Sequence, residues 1–188
     1  MSTDDKPVSK FLSLVLRHKP EILSLYLDEN GWANVDELLR KSQAHGVSLT
    51  PESLNRIVAT NDKKRFQFSE DGQRIRASQG HSIAVDLQLK EAAPPPQLFH
   101  GTAIKNLASI HSQGLLKGER HHVHLSADSE TAKQVGSRYG KPVVLRVAAG
   151  AMYEQGFRFF QSENGVWLTD VVPPQYLQFG MDETLKNA

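Results

Sequence analysis

Apolar side chains first recur at helical spacing in Val8 to His18 (VSKFLSLVLRH), where Phe11, Leu12, Val15 and Leu16 share one face. Arg17 and His18 fall in the last turn before Pro20, so the spacing predicts an amphipathic helix that proline ends. Trp32 to Val35 reads as a short extended piece, followed by a helix to Gln43 with Val35, Leu38 and Leu39 turned inward. Thr50 and Pro51 form an N-cap and first-turn proline pair, predicting a third helix through Leu54, Ile57 and Val58 to about Asn61. The period then drops to two. Arg65 to Ser69 sets Phe66 and Phe68 on one face, Asp71-Gly72 is a turn signal, and Arg74 to Ala77 returns as a strand.

Three helices followed by a hairpin is a winged-helix pattern, which points to nucleic acid only by analogy of fold. The segment Asp86 to Gln97 (DLQLKEAAPPPQ) holds Pro94, Pro95 and Pro96, which lack amide donors and predict a semi-rigid connector. Two different domains are therefore expected, residues 1–85 and 98–188, joined by residues 86–97. In the second, Gln97 to Phe99 predicts a short strand entering His100-Gly101-Thr102, and Ile104 to Gln113 a helix closed by Gly114. A strand follows at His122 to Ser126, then a helix near Ser129 to Tyr139 opened by Asp128. Further strands are expected at Pro142 to Val147, Gly156 to Gln161 and Gly165 to Val171, making a mixed α+β domain with a mostly antiparallel sheet. No G-x-G-x-x-G or G-x-x-x-x-G-K-[ST] occurs, so neither a Rossmann crevice nor a P-loop is supported.

Composition narrows the chemistry. The 188 residues are 39% hydrophobic and 23% charged, which is globular composition. There is no cysteine, which excludes disulfides, Cys-ligated zinc, iron–sulfur clusters and a cysteine nucleophile. The first ten residues carry Asp4, Asp5, Lys6 and Pro7 where a secretory signal needs an apolar run, and a soluble, cytoplasmic protein is expected. With 22 basic against 21 acidic residues the chain is no polycation, so any contact with nucleic acid must be local.

Four groups of residues have chemical potential. In Glu119 to Ser126 (ERHHVHLS) a period of two would place Arg120, His122 and His124 on one side of a strand. This reads as a solvated edge, a ligand edge, or a metal site short of ligands, with His100 as the remaining candidate. Arg17-His18, Lys63-Lys64-Arg65 and Arg76 to Ser82 form the second group. A charge run is usually a solvated face, but guanidinium forks also suit bidentate capture of a phosphate. The third is Leu98 to Thr102 (LFHGT), where Gly101 would let a ligand approach the main chain. The fourth, Asn164 to Leu168 (NGVWL), carries no titratable group and would pass for core.

Six segments in register resemble the RNA 2′-phosphotransferase family, NAD-dependent enzymes typified by the tRNA 2′-phosphotransferase of the splicing pathway. They are Leu12 to Glu21 (LSLVLRHKPE), Asn61 to Phe68 (NDKKRFQF), Ile75 to Ser82 (IRASQGHS), Leu98 to Thr102 (LFHGT), Gly114 to Ser126 (GLLKGERHHVHLS) and Ser162 to Thr169 (SENGVWLT). The resemblance implies an N-terminal winged-helix lobe that holds RNA phosphate and a C-terminal ADP-ribosyltransferase-like lobe that holds NAD⁺ as co-substrate, with no metal. The implied partner is RNA bearing an internal 2′-phosphate, tRNA-like or other. A monomer is expected, with no membrane association.

By the same resemblance the catalytic set is Arg17, His18, Arg65 and Arg120. Arg17 and Arg65 would grip the phosphate, His18 would shuttle a proton, and Arg120 would stabilise charge on phosphorus. His100 and Thr102 would hold the ribose and adenosine side of NAD⁺, Gly101 the nicotinamide amide, and His124 with Ser126 the nicotinamide pocket. Many ADP-ribosyltransferases place a glutamate in their third motif for hydroxyl or carboxylate acceptors; here Val166 stands at that position, giving a triad of His100, His124 and Val166. Three rivals remain on sequence alone: an ADP-ribosyltransferase that stops after one step, a winged-helix regulator that senses NAD⁺, and a metal-dependent nuclease built on the histidines.

Overall fold

The structure, a computed structural model, describes residues 5–180. The chain divides into two compact units, the boundary in sequence falling between Leu89 and Lys90. The architecture is mixed α+β with small antiparallel sheets.

The first unit opens with α1 (Asp5–Arg17), longer at its start than the apolar period predicts. Pro7 is tolerated because amides of a first helical turn have no intrahelical partner to lose. The Asp5 carboxylate, 3% exposed, accepts from Nε and Nη2 of Arg56 at 3.0 and 2.7 Å. Strand β1 (Ala33–Asn34) leads into α2 (Val35–Ala44), where Asn34 caps the helix by accepting from the Glu37 amide at 2.9 Å. Thr50 caps α3 (Pro51–Thr60) in a reciprocal box with Ser53. Strands β2 (Phe66–Phe68) and β3 (Arg74–Ala77) then form the expected hairpin, and β1 joins it in the order β1-β3-β2. Leu12, Val15 and Leu16 of α1 pack with Leu38, Leu54, Ile57, Phe66 and Ile75 in one core.

The second unit begins with β4 (Leu98–Ala103), which runs straight through His100, Gly101 and Thr102 rather than ending before them. A 3₁₀ turn (Ile104–Asn106) and α4 (Leu107–Gln113) replace the single helix expected over 104–113. Next come β5 (Leu115–Leu116), β6 (Val123–Leu125), α5 (Ser129–Gly136) and β7 (Pro142–Val147). Asp128 caps α5 by accepting from the Thr131 amide at 2.7 Å.

Of the strand expected over residues 156–161, only β8 (Phe159–Gln161) forms, and a helix that periodicity does not predict, α6 (Ala149–Glu154), precedes it. Small residues allow α6 to lie close to the proline segment: the Gly150 amide donates to Pro96 O at 3.1 Å, and a Cβ on Gly150 would sit 3.1 Å from Pro96 Cα. The strand expected over Gly165 to Val171 is split into β9 (Trp167–Thr169) and β10 (Val171–Val172), and β11 (Leu177–Phe179) ends the described chain.

Three antiparallel sheets result, β11-β7-β4, β6-β9-β8 and β10-β5. A bridge between Phe99 and Ser126 links β4 to the end of β6, so two strands carrying expected site residues are adjacent.

The 86–97 segment is divided between the units rather than spanning open chain. The Asp86 amide donates to Glu29 O at 2.7 Å and its carbonyl accepts from Asn30 Nδ2 at 2.6 Å. Beyond the boundary, the Ala92 amide donates to Phe159 O at 2.9 Å and Glu91 pairs with Arg158. Among the described residues, no helix is long and apolar enough to cross a membrane.

Candidate functional site

In the first unit, α1 delivers Arg17 in its last turn and His18 just beyond it. The C-terminal end of a helix carries partial negative charge from its unpaired carbonyls, so cationic groups are stabilised there. Arg17 is half-buried, with Nε and Nη2 shut off from solvent. Ser82 meets both residues: its amide donates to Arg17 O at 3.0 Å, and its Oγ lies 2.8 Å from His18 Nδ1.

Arg65 stands just before β2. Its Nη1 donates to Oδ1 of Asn61 at 3.3 Å, and Asn61 is itself 4% exposed. Ser78 ties this segment to the next: its amide donates to Arg65 O and its hydroxyl to Lys64 O, both at 2.8 Å. The stretch Ser78 to Ser82 therefore links Arg65 to the Arg17-His18 pair. Within it, His81 is buried, and Oε1 of Gln79 is shut off from solvent with no hydrogen-bond donor among the described residues.

Sequence pattern alone leaves Gln79 to His81 open to being read as a turn into the connector. The bonds of Ser82, Ser78 and Asn61 reach far along the chain, His18 lying 64 residues before Ser82. The motif IRASQGHS is visible in the sequence; these bonds are not.

In the second unit, alternation along β4 puts His100 and Thr102 on one face and Gly101 on the other. The His100 Nδ1 lies 3.0 Å from the His124 carbonyl. A carbonyl can only accept, so Nδ1 carries the proton and Nε2 presents a lone pair. Burial pushes the His100 titration below its ordinary value, the bond to His124 O opposes this, and the nearby Arg120 charge adds to the lowering.

Arg120 lies in the loop before β6, with its amide donating to Lys117 O at 3.1 Å. The sequence pattern places Arg120, His122 and His124 on one side of a strand. The strand is only Val123–Leu125, so the grouping has another cause. Arg120 reaches His124 through its side chain, Nη1 lying 3.3 Å from Nδ1. A guanidinium only donates, so His124 Nδ1 is the acceptor and the ring proton sits on Nε2. His122 leans on Phe160 instead, with ring centres 5.6 Å apart, and burial is the first cause lowering its titration.

Gly101 has a different reason from the one expected. A Cβ there would come 1.6 Å from the Ala132 carbonyl oxygen in α5, so helix-on-strand packing by itself requires the missing side chain. Its main-chain groups have a defined direction. Phe99 spends both backbone groups on Ser126, at 2.9 and 2.7 Å, and groups two residues apart in an antiparallel ladder face the same edge. Gly101 thus directs its N–H and C=O away from β7, where no other strand pairs with it among the described residues.

Thr102 is buried and accepts from Asn106 Nδ2 at 3.2 Å. Val166 is half-buried in the turn before β9, its amide donating to Ser162 Oγ at 3.2 Å and its carbonyl accepting from the Ser162 amide at 2.9 Å. It lies one step outside the pair Leu125 and Trp167, at the end of the ladder where Ser126 follows β6.

Among the described residues, no three His, Asp or Glu side chains gather as a metal-holding group. A groove of about 420 Å³ lined by Pro94, Arg146, Tyr153 and Glu154 contains none of the predicted site residues.

Residues 3–171 match the model of a family described as RNA 2′-phosphotransferase, Tpt1/KptA family. Curated relatives span nearly the same length. A protein of Flavobacterium johnsoniae described as a "Probable RNA 2′-phosphotransferase" is 58% identical over 174 residues, covering 93% of this chain and 96% of that one. One of Agrobacterium fabrum with the same description is 56% identical over 179 residues, covering 95% and 96%. Another, of Fusobacterium nucleatum, is 51% identical over 177 residues, covering 94% and 99%.

Proposed function

The chain belongs to the RNA 2′-phosphotransferase, Tpt1/KptA family, and we propose that it removes an internal 2′-phosphate from RNA by transferring it to NAD⁺. The observation that carries the reading is the hydrogen-bonded series Arg120, His124, His100, lying beside the outward-turned main chain of Gly101. The chemistry of these groups fits a dinucleotide. Nε2 of His100 can accept from a ribose hydroxyl, and Gly101 offers one donor and one acceptor to a carboxamide. Thr102 keeps its hydroxyl proton to donate on the adenosine side, while His124 and Ser126 line the nicotinamide end.

In the first step a phosphate oxygen of the RNA attacks C1″ of the NAD⁺ ribose, and the glycosidic bond breaks to release nicotinamide. A phosphomonoester already carries about −1.5 to −2 charges at pH 7, so it needs orientation more than deprotonation. Arg17 and Arg65 supply that orientation and go on gripping the phosphoryl oxygens in the second step, where charge builds on them. Val166, in place of an acidic residue, suits an acceptor that arrives ionised. In the second step the ribose 2″-oxygen attacks phosphorus and the bond to RNA O2′ breaks. The proton from the 2″-hydroxyl passes through His18 to O2′, and Arg120 balances charge on the phosphoryl oxygens. The products are RNA with a 2′-hydroxyl and ADP-ribose 1″,2″-cyclic phosphate. On this reading the first unit acts as a winged-helix phosphate holder and the second as an ADP-ribosyltransferase-like lobe.

The test is incubation of the protein with a 2′-phosphorylated oligonucleotide, with and without NAD⁺, followed by mass spectrometry. Loss of the branch phosphate only with NAD⁺, accompanied by the cyclic phosphate, is expected. Arrest at an ADP-ribosylated RNA would identify a one-step ADP-ribosyltransferase, and phosphate loss without NAD⁺ would sink the proposal.

A further inference from the structure

We propose that Ser82 is a positioning residue for His18, holding its ring in the tautomer that takes up and returns a proton at Nε2. The inference rests on the second step described above. Ser82 lies 64 residues beyond His18 and touches the Arg17-His18 pair twice, through its amide to Arg17 O at 3.0 Å and through its hydroxyl to His18 Nδ1 at 2.8 Å. The first bond satisfies a carbonyl at the end of α1 that has no helical partner. The second bond fixes the ring's orientation, and we assign the Ser82 oxygen as its acceptor, with Nδ1–H donating.

A proton shuttle must present a lone pair at the working nitrogen, which requires the neutral imidazole to carry its hydrogen on the other one. With Nδ1–H donating to the Ser82 oxygen, Nε2 accepts the proton of the ribose 2″-hydroxyl and passes it to the departing RNA oxygen. The Nδ1 bond persists throughout, so the ring need not turn.

The choice of a hydroxyl has its own reason. A carboxylate would orient the ring equally well, but it would set a negative charge beside an incoming phosphate dianion, and close like charges repel. Serine orients without charge. In the sequence Ser82 is only the last residue of a motif, and the proposed roles of Arg17 and His18 do not use it.

Two measurements test this. Ring ¹⁵N resonances of neutral His18 in the wild type should show Nδ1 protonated, and Ser82→Ala should show a mixture of tautomers. In single-turnover assays from the ADP-ribosylated RNA intermediate, Ser82→Ala should slow phosphate release about tenfold with little change in KM, a size typical of lost supporting hydrogen bonds. Alanine keeps the amide bond to Arg17, and Ser82→Thr should restore the rate. Ser82→Asp should weaken binding of phosphorylated RNA.

A wild-type His18 protonated on Nε2, a Ser82→Ala variant with unchanged turnover, or a Ser82→Thr variant as slow as alanine would overturn the inference. If Ser82→Ala fails to fold, the wild-type resonances still decide it. A wild-type protein inactive on 2′-phosphorylated RNA would overturn the proposed function and the inference together, whereas normal turnover insensitive to Ser82→Ala overturns the inference alone.

Discussion

Burial holds the His100 imidazole below its ordinary titration range near pH 6.5, against the opposing pull of its bond to His124 O, and Arg120 pushes the same way as burial. The unfolded chain therefore takes up a proton at His100 before the folded chain does. Above about pH 6.5 neither state is protonated and nothing is lost. As pH falls through that value toward the lower folded-state one, the unfolded state gains and stability drops. His122 is shifted in the same direction, again by burial first. Urea unfolding near pH 5, below the ordinary histidine range, should give a lower midpoint than near pH 7, with a smaller difference in His100→Gln. An unchanged difference would remove His100 from the account. Arg65 is tested by chemistry instead. Arg65→Ala deletes a charged donor assigned to the phosphate and should slow the second step by about 10²- to 10³-fold, the range found when one such donor is lost. Accumulated ADP-ribosylated RNA, seen by gel shift, is the expected sign, and rapid complete dephosphorylation would contradict the role.

At the scale of elements, local chemistry is readable where it decides structure locally. Thr50-Pro51 and Asp128 each open a helix in the structure, because a side-chain oxygen three residues before an orphan amide can satisfy it without distant help. The hairpin at Asp71-Gly72 is legible for the same reason, with Gly72 at φ +70°. The start of α1 is not, since Asp5 is held by Arg56, 51 residues away. Local pattern also ends β4 too early, because glycine weakens a strand on its own account. Its continuation through Gly101 follows from pairing with β7, Gly101 lying opposite Val144, and from α5 packed against the glycine. Gly101→Ala should destabilise the protein by about 3 kcal/mol or more, since the obstructing atom is backbone and cannot rotate away. A melting temperature within a degree or two of wild type would show that α5 can shift freely.

For the molecule as a whole, two separate cores imply two partly independent stabilities. Leu54 and Ile57 belong to the first core, Leu145 and Phe159 to the second, and each cluster is confined to its own unit. Leu54→Ala removes buried atoms and leaves a cavity, at a cost of about 2–5 kcal/mol. Amide hydrogen exchange should accelerate in α1 and α3 while β7 keeps its protection. Equal acceleration in both units would mean that they unfold as one.

Sequence alone determined what neighbouring residues settle among themselves: which stretches are amphipathic, where caps and turns fall, and that six motifs stand in order, five of them carrying histidine or arginine. The tertiary structure decided which of these meet. Ser82 is brought to His18 and Ser126 to Phe99, and Ala132 comes to rest against Gly101. Such encounters depend on strand register and helix packing, interactions between segments whose closeness no local spacing encodes.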